Sequence, residues 1–441
     1  MSKLMKIYGA ILFGLVLCAG ADASAMTKSN YTKRHSAGTA HVSARVKGHV
    51  VSHSGSAGVA STATRRGHAV ATSSVVRRHG RGARPTLAVR RTRYQEHFSA
   101  SSFADNLTLG DVTEGEDPVV RAAAIEALGN MNGTAIAINP ANGRILAMVN
   151  QKLALSRGAE PCSTIKLTVA LAALEEGIVR RDTPVNLGGS YHLTLTEALA
   201  HSNNLYFETL GRSLGFERVK HYANEFGLGE LAGYNIAGEQ LGVYPDQALP
   251  ASEGGVGRMC SFGQGVSLTP LQLGAYVAAL ANGGTLYYLQ HPATQEEALA
   301  LEPKVKRTLD IAKYVPEMQD GMAGAVEYGT ARRLSATFHD FPVFGKTGTC
   351  SDKGTRFGWF ASFSQAPQGS LVTVFFLEGG RPTFGPRAAE LTGAFYKNLA
   401  DRNYFANKTQ QEARTTEPPA APRVSLHQLP AAQASLPQLP R

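Results

Sequence analysis

Apolar residues change their spacing several times along the chain, and each change marks an element. Asp117-Pro118 is an N-cap followed by proline at the first helical position, so residues 119–128 read as a short helix that Gly129-Asn130 ends. Residues 134–138 and 145–149 are short apolar runs flanking Asn139-Pro140-Ala141-Asn142-Gly143, the pattern of a β-hairpin. Pro161 stops any helix from reaching back, and the run from Ser163 to Leu174 is apolar nearly all round, with Gly177 placed as its C′ residue. A helix without a polar stripe is a buried one. Residues 193–214 are helical in pattern, with Thr194 or Thr196 as cap, and 216–250 read as a helix and then an irregular Gly-rich segment. Ser261-Phe262-Gly263-Gln264-Gly265 reads as a loop, Thr269-Pro270 opens a helix that Asn282-Gly283-Gly284 closes, and 319–334 is a helix interrupted near Gly329. The chain then turns extended, with strands over 343–350, 359–364 and 371–377 before a closing helix over 391–399. A strand pair feeding a buried helix, and further strands at the far end, predict a sheet covered by helices.

The two ends carry no such pattern. Lys3 and Lys6, the apolar stretch 7–19 and Ala23-Ser24-Ala25 predict a secretory signal peptide over 1–25, cut after Ala25. The apolar stretch is short of the ~20 residues a membrane span needs, so an uncleaved copy would be a strained anchor. Residues 26–110 are expected to be a basic, disordered Ser/Ala/Arg-rich linker and 406–441 a disordered Pro/Gln-rich tail, which leaves 111–405 as the folded domain. Between Lys28 and Glu96 there are 14 basic residues and one acidic one, more excess charge than the +10 of the whole chain, so the rest is net acidic. The high pI therefore belongs to the linker. An exported basic linker suits anionic membrane or wall polymer, with a solvated spacer as the plain alternative, and export argues against nucleic acid. The expected location is the periplasm or the outer face of the cytoplasmic membrane. Cys and His do not cluster at metal-ligand spacing, so no metal is expected.

Chemistry concentrates in three short motifs. Ser163 and Lys166 stand three residues apart at the head of the buried helix, one turn apart on one face. A lysine there is costly unless it has partners or work, and burial beside a second cation would make its amine a general base for the serine. Ser202-Asn203-Asn204 and Lys346-Thr347-Gly348 follow in order, the last on a predicted strand. Each has a plain reading: helix capping for Ser202 and Asn204, β-forming threonines at 347 and 349, an edge-guarding Lys346. His201 reads as structural.

The ordered set, with "AINPANGRILAMV", "SFGQGVSLTPLQLGAYVAALANGG", "GMAGAVEYGTA" and "FGKTGT", resembles the penicillin-binding transpeptidase family over about 115–405. The resemblance implies an α/β chain of α+β type, an antiparallel sheet covered by helices plus an all-helical lobe. It implies a serine D,D-transpeptidase or D,D-carboxypeptidase working on D-Ala–D-Ala stem peptides of peptidoglycan, without cofactor, and acylated by β-lactams. Ser163 would be the nucleophile, Lys166 its base, Lys346 the neighbouring cation, Ser202 the proton relay and Asn204 the holder of the substrate amide. Thr347, Gly348 and Thr349 would bind substrate, with the N–H groups of Ser163 and Thr349 forming an oxyanion hole. Cys162 and Cys350 adjoin those two residues, and carbapenem-hydrolysing β-lactamases of class A are similar in bridging such positions; the resemblance thus implies a Cys162–Cys350 disulfide, against the alternative of two free thiols, with Cys260 left over. A serine β-lactamase of class D type, a sensor of β-lactam or wall fragments and a pseudoenzyme are the alternatives. A class A β-lactamase is disfavoured, since no Glu-x-x-x-Asn lies between Ser202 and Lys346.

Overall fold

A computed structural model describes residues 97–367 and 369–406. The signal-peptide reading, most of the linker and the 406–441 tail except Ala406 lie outside them. The elements that build the site are α1 (Pro118–Leu128), β1 (Gly133–Ile138), β2 (Ile145–Val149), α2 (Lys166–Glu175), α3 (Leu195–Ala200), α4 (Asn204–Leu214), α5 (Gly255–Phe262), α6 (Pro270–Ala281), α7 (Val315–Glu327), β3 (Val343–Asp352), β4 (Thr355–Ser364), β5 (Val372–Gly379) and α8 (Gly385–Asp401). The strands form one antiparallel sheet in the order β2-β1-β5-β4-β3. Chain order and sheet order differ because β1, from the N-terminal hairpin, pairs with β5 near the other end of the domain (Gly133 opposite Leu377). β3 is left as an edge strand, with one row of backbone groups unclaimed by any strand.

Both faces of the sheet are covered, which is why the strands read as continuous apolar runs rather than alternating ones. Alternate residues go to different cores. Ile136, Trp359, Ala361, Val374 and Phe376 point into a large core shared with α2, α4 and α6, while Ala135, Ala137, Phe360, Phe375 and Leu377 pack under α1 and α8. Eleven of the twelve residues of α6 are buried, and a capping box between Thr269 and Gln272 fixes its start. The fold is therefore the expected antiparallel sheet with helices on both faces and a helical lobe built beside one of them.

Several boundaries differ from expectation: the closing helix starts at Gly385 rather than 391, the strand expected from 359 starts at Thr355, and four further cases bear on the site. Ser163 lies in a 3-10 turn, Cys162–Ile165, that only then becomes α2. The helix predicted over 193–214 breaks at His201–Asn203, where Asn203 caps α4 by accepting from the Tyr206 N–H (2.9 Å) and Ser202 takes a left-handed φ of 56°. A capping side chain inside the pattern was the missed stop signal. The predicted 261–265 loop starts later, since α5 runs to Phe262 and stops at Gly263. The predicted 319–334 helix is α7, which begins earlier, at Val315, with Pro316 in its first turn, and ends at Glu327.

Candidate active site

The 3-10 turn carrying Ser163 is clamped against β3 and β4. Thr164 donates its hydroxyl and its N–H to the Pro161 carbonyl (2.7 and 3.1 Å), and the Trp359 indole N–H donates to Glu160 O (2.9 Å). Gly348 makes the approach possible, because a Cβ there would sit 2.8 Å from the Pro161 carbonyl oxygen. Cys162 is disulfide-bonded to Cys350, with Cα atoms 5.5 Å apart, and Cys260 is a buried free thiol. Cys162 itself has φ 50°. It and Ser202 are thus two non-glycine residues held in a strained conformation next to reactive groups, a placement strain favours.

The three motifs meet around two lysines that are 0% exposed. Lys166 Nζ donates to the Ser202 carbonyl oxygen (2.8 Å) and to Asn204 Oδ1 (2.6 Å), and lies 3.0 Å from Ser163 Oγ and 3.1 Å from Ser202 Oγ. Lys346 Nζ donates to Ser202 Oγ (2.8 Å) and to the Thr347 carbonyl (3.2 Å). Ser202 Oγ therefore bridges the two amines. Burial holds the Lys166 amine well below its ordinary range, and the Lys346 charge pushes it further the same way. Burial alone brings Lys346 down to about 7. A neutral amine has two donors and one lone pair. In Lys166 both donors are taken by acceptors that cannot return a proton, which leaves the lone pair for a hydroxyl, and Ser163 Oγ is within reach. On β3, the Thr349 hydroxyl accepts from Gly385 N–H at the head of α8 (2.8 Å), and Thr347 Oγ1 lies 2.7 Å from Thr330 Oγ1.

The model of the penicillin binding protein transpeptidase domain matches residues 133–398. The chain belongs to the penicillin-binding protein transpeptidase family. It is similar to Stage V sporulation protein D of Bacillus subtilis (29% identical over 333 residues, 64% of this chain and 51% of that one). It is also similar to peptidoglycan D,D-transpeptidase MrdA of Acinetobacter baumannii (24% over 376 residues, 66% and 55%). The chain thus spans about half the length of the curated relatives it matches. The solved structure of a peptidoglycan glycosyltransferase from Burkholderia ambifaria shares the fold, with a TM-score of 0.56, 19% identity, and coverage of 66% of this chain and 98% of that one.

Within this transpeptidase domain the structure brings Ser163, Lys166, Ser202, Asn204 and Lys346 into one hydrogen-bonded cluster, with Thr347, Gly348 and Thr349 along the adjoining edge strand. His201 faces outward, 3.5 Å from Glu197 and tilted against the Tyr328 ring, away from the amines. Thr330 is a residue that sequence reasoning passed over. Its N–H donates to Ala200 O (3.1 Å), just before the Ser202 turn, while its hydroxyl meets Thr347. The available signal was Gly329-Thr330, where a helix pattern broke without a proline. Among the described residues, no group of His, Cys, Asp and Glu could hold a metal ion.

Proposed function

We propose that the chain is a serine D,D-transpeptidase, or the related carboxypeptidase, that cleaves the D-Ala–D-Ala end of peptidoglycan stem peptides through an ester on Ser163. The observation that carries this reading is the buried Lys166 amine, its donors occupied and its lone pair 3.0 Å from Ser163 Oγ. Ser163 Oγ attacks the carbonyl carbon of the penultimate D-Ala, and its proton passes to Lys166 Nζ. The C–N bond breaks, the terminal D-Ala nitrogen leaves, and the proton returns to it through Ser202 Oγ, which touches both amines. An acceptor amine, or water in the carboxypeptidase, then attacks the ester and frees Ser163. The Lys346 cation and the Thr347 and Thr349 hydroxyls hold the terminal carboxylate. The Ser163 and Thr349 N–H groups face the developing oxyanion, where losing one donor costs about 3–4 kcal/mol. A β-lactam acylates the same serine.

The reaction is assigned to the outside of the cytoplasmic membrane. A disulfide persists in an oxidising compartment, and Cys162 is bonded to Cys350. Intact mass after benzylpenicillin treatment tests the assignment: one adduct on the native chain and none on Ser163→Ala is expected. An adduct retained by Ser163→Ala sinks it. Rapid loss of the adduct would instead identify a β-lactamase, and the products from a pentapeptide separate transfer from hydrolysis.

A further inference from the structure

A cavity of about 350 Å³ lies where α7 hands over to β3. Its walls are Ala323 and Val326 of α7, Leu334 and Phe338 of the turns that follow, and Phe341 and Val343 at the entry to the strand. Val326, Leu334, Phe338 and Val343 make a buried apolar floor, while Ala323 and Phe341 are half-buried. Glu327 and Asp340 also line the cavity and are exposed. One wall continues into a chain of rings. Phe338 and Phe341 meet at 4.7 Å, and Phe341 meets Phe405 at 4.9 Å, both edge to face. Phe405 precedes Ala406, the last described residue, so the chain leaves the domain one ring away from the cavity.

The 35 residues after Ala406 contain a repeat. Ser425-Leu426-His427-Gln428-Leu429-Pro430 and Ser435-Leu436-Pro437-Gln438-Leu439-Pro440 share the pattern Ser-Leu-x-Gln-Leu-Pro, ten positions apart. A residue before proline is pushed out of the helical region toward extended or polyproline II backbone, and proline follows Leu429, Leu436 and Leu439. Polyproline II has about three residues per turn, so the two leucines of each repeat fall on one face, about 9 Å apart. A stiff backbone presenting paired apolar side chains is what a small hydrophobic groove takes up at low entropic cost. From Arg423 to Arg441 the segment carries basic residues and no acid, opposite in sign to Glu327 and Asp340. Leu426 stands 20 positions beyond Ala406, an average span of about 25 Å for a flexible chain. The cavity wall at Phe341 lies well inside that reach.

We propose that this cavity is the docking site for the chain's own Ser-Leu-x-Gln-Leu-Pro repeats, which enter one at a time. Their leucines pack against Val326, Leu334 and Phe338, and the flanking arginines turn toward Glu327 and Asp340. The docked segment ties α7 to the first residue of β3, the strand that carries Lys346. Docking is independent of the chemistry at Ser163. Competition tests it. A fluorescein-labelled synthetic peptide of residues 423–441 is titrated, by fluorescence polarisation, with two full-length proteins: the native chain, and one with Leu426, Leu429, Leu436 and Leu439 all changed to serine. In the native chain the tethered repeats compete at an effective concentration of about 1 mM. The free peptide should therefore bind the serine variant about tenfold tighter than the native chain. A peptide carrying the same four serines should bind neither. Ala323→Trp, which fills the cavity from α7, should remove peptide binding from the serine variant. The serine peptide keeps the test decisive if Ala323→Trp unfolds. Equal affinity for the two proteins, no binding to the serine variant, a leucine-free peptide that binds as well, or binding that survives in a folded Ala323→Trp protein overturns the proposal. A difference that vanishes on dilution of the protein would put each repeat in a second copy's cavity, which overturns docking within one chain.

Discussion

Two buried charged clusters in this domain are built on opposite rules. At the start of the domain, Arg121 is ion-paired at 2.8 Å to both Asp111 and Glu116, Glu116 also meets His291 Nε2 at 2.9 Å, and Asp111 accepts the N–H groups of Asn150 and Gln151. Every charge there faces its opposite, and the cluster ties the entering segment to α1 and β2. At the other cluster, Lys166 and Lys346 share one serine hydroxyl and, among the described residues, contact no carboxylate, Glu208 acting on Lys166 only at a distance. Opposite charges lock a structure, since breaking one partner strands the other. Like charges without a counter-ion hold a proton affinity away from its ordinary value, and that displacement is what general-base chemistry needs. The contrast says which cluster anchors the domain and which reacts.

The largest effect should come from breaking the lysine cluster. Lys166→Met keeps length and bulk but removes the base, so penicillin acylation should fall by about 10³-fold or more in stopped-flow labelling. Melting should not drop, because a buried amine with no counter-ion has left. The folded pKa of Lys166 lies below its unfolded value, so the unfolded chain binds more protons between the two and native stability falls as pH falls through that window. The Lys166→Met advantage in melting temperature should therefore grow toward lower pH. If it does not, the amine is not neutral in the folded state.

Arg121→Ala is the reciprocal test. Asp111 loses its ion-pair partner and Glu116 keeps only His291 beside it, at a cost of about 3–5 kcal/mol in denaturant unfolding, while acylation per folded molecule stays at the native rate. Loss of activity ahead of loss of fold would deny the separation.

A smaller effect sharpens the comparison inside the lysine pair. The neutral Lys166 is the active form, so kcat/KM for a carboxylate-ended peptide rises with pH on its limb. It should then decline above about 7, where free Lys346 loses its charge. The bound carboxylate favours the Lys346 cation, so the same limb in kcat should lie at higher pH. Coincident limbs in both profiles would remove Lys346 from carboxylate binding.

The smallest effect belongs to Thr330→Val, which deletes the hydroxyl on Thr347 and keeps the shape. A lost hydrogen bond of about 1 kcal/mol should raise KM for the peptide severalfold and leave kcat nearly unchanged. An equal fall in kcat would make Thr330 part of the reacting group.

The sheet strands and the helices with clear caps were legible because their signals are local: Asp117-Pro118, Thr269-Pro270, the 139–143 turn. Ser163 and Lys166 could be picked out because polar residues at the head of an apolar run demand an explanation, and Lys346 because its motif follows theirs in order. The break at Ser202 was not legible, since the apolar pattern continues through it and only the Asn203 cap and a left-handed backbone interrupt the helix. Thr330 was hidden for a different reason. Its meaning lies in a contact 17 residues away, which leaves no mark on local spacing.

The Cys162–Cys350 link joins residues 188 apart and so closes the polypeptide into a ring. Ser163, Lys166, Ser202, Asn204, Lys346 and Thr349 all lie on it. A protease that cuts once between these two cysteines opens the ring without dividing the molecule, and the nucleophile turn stays fastened to the substrate strand. A cut between the ring and either end of the chain severs a piece outright. Wear from the surroundings is thus sorted by position, and the reacting half of the domain is the part that one nick cannot detach.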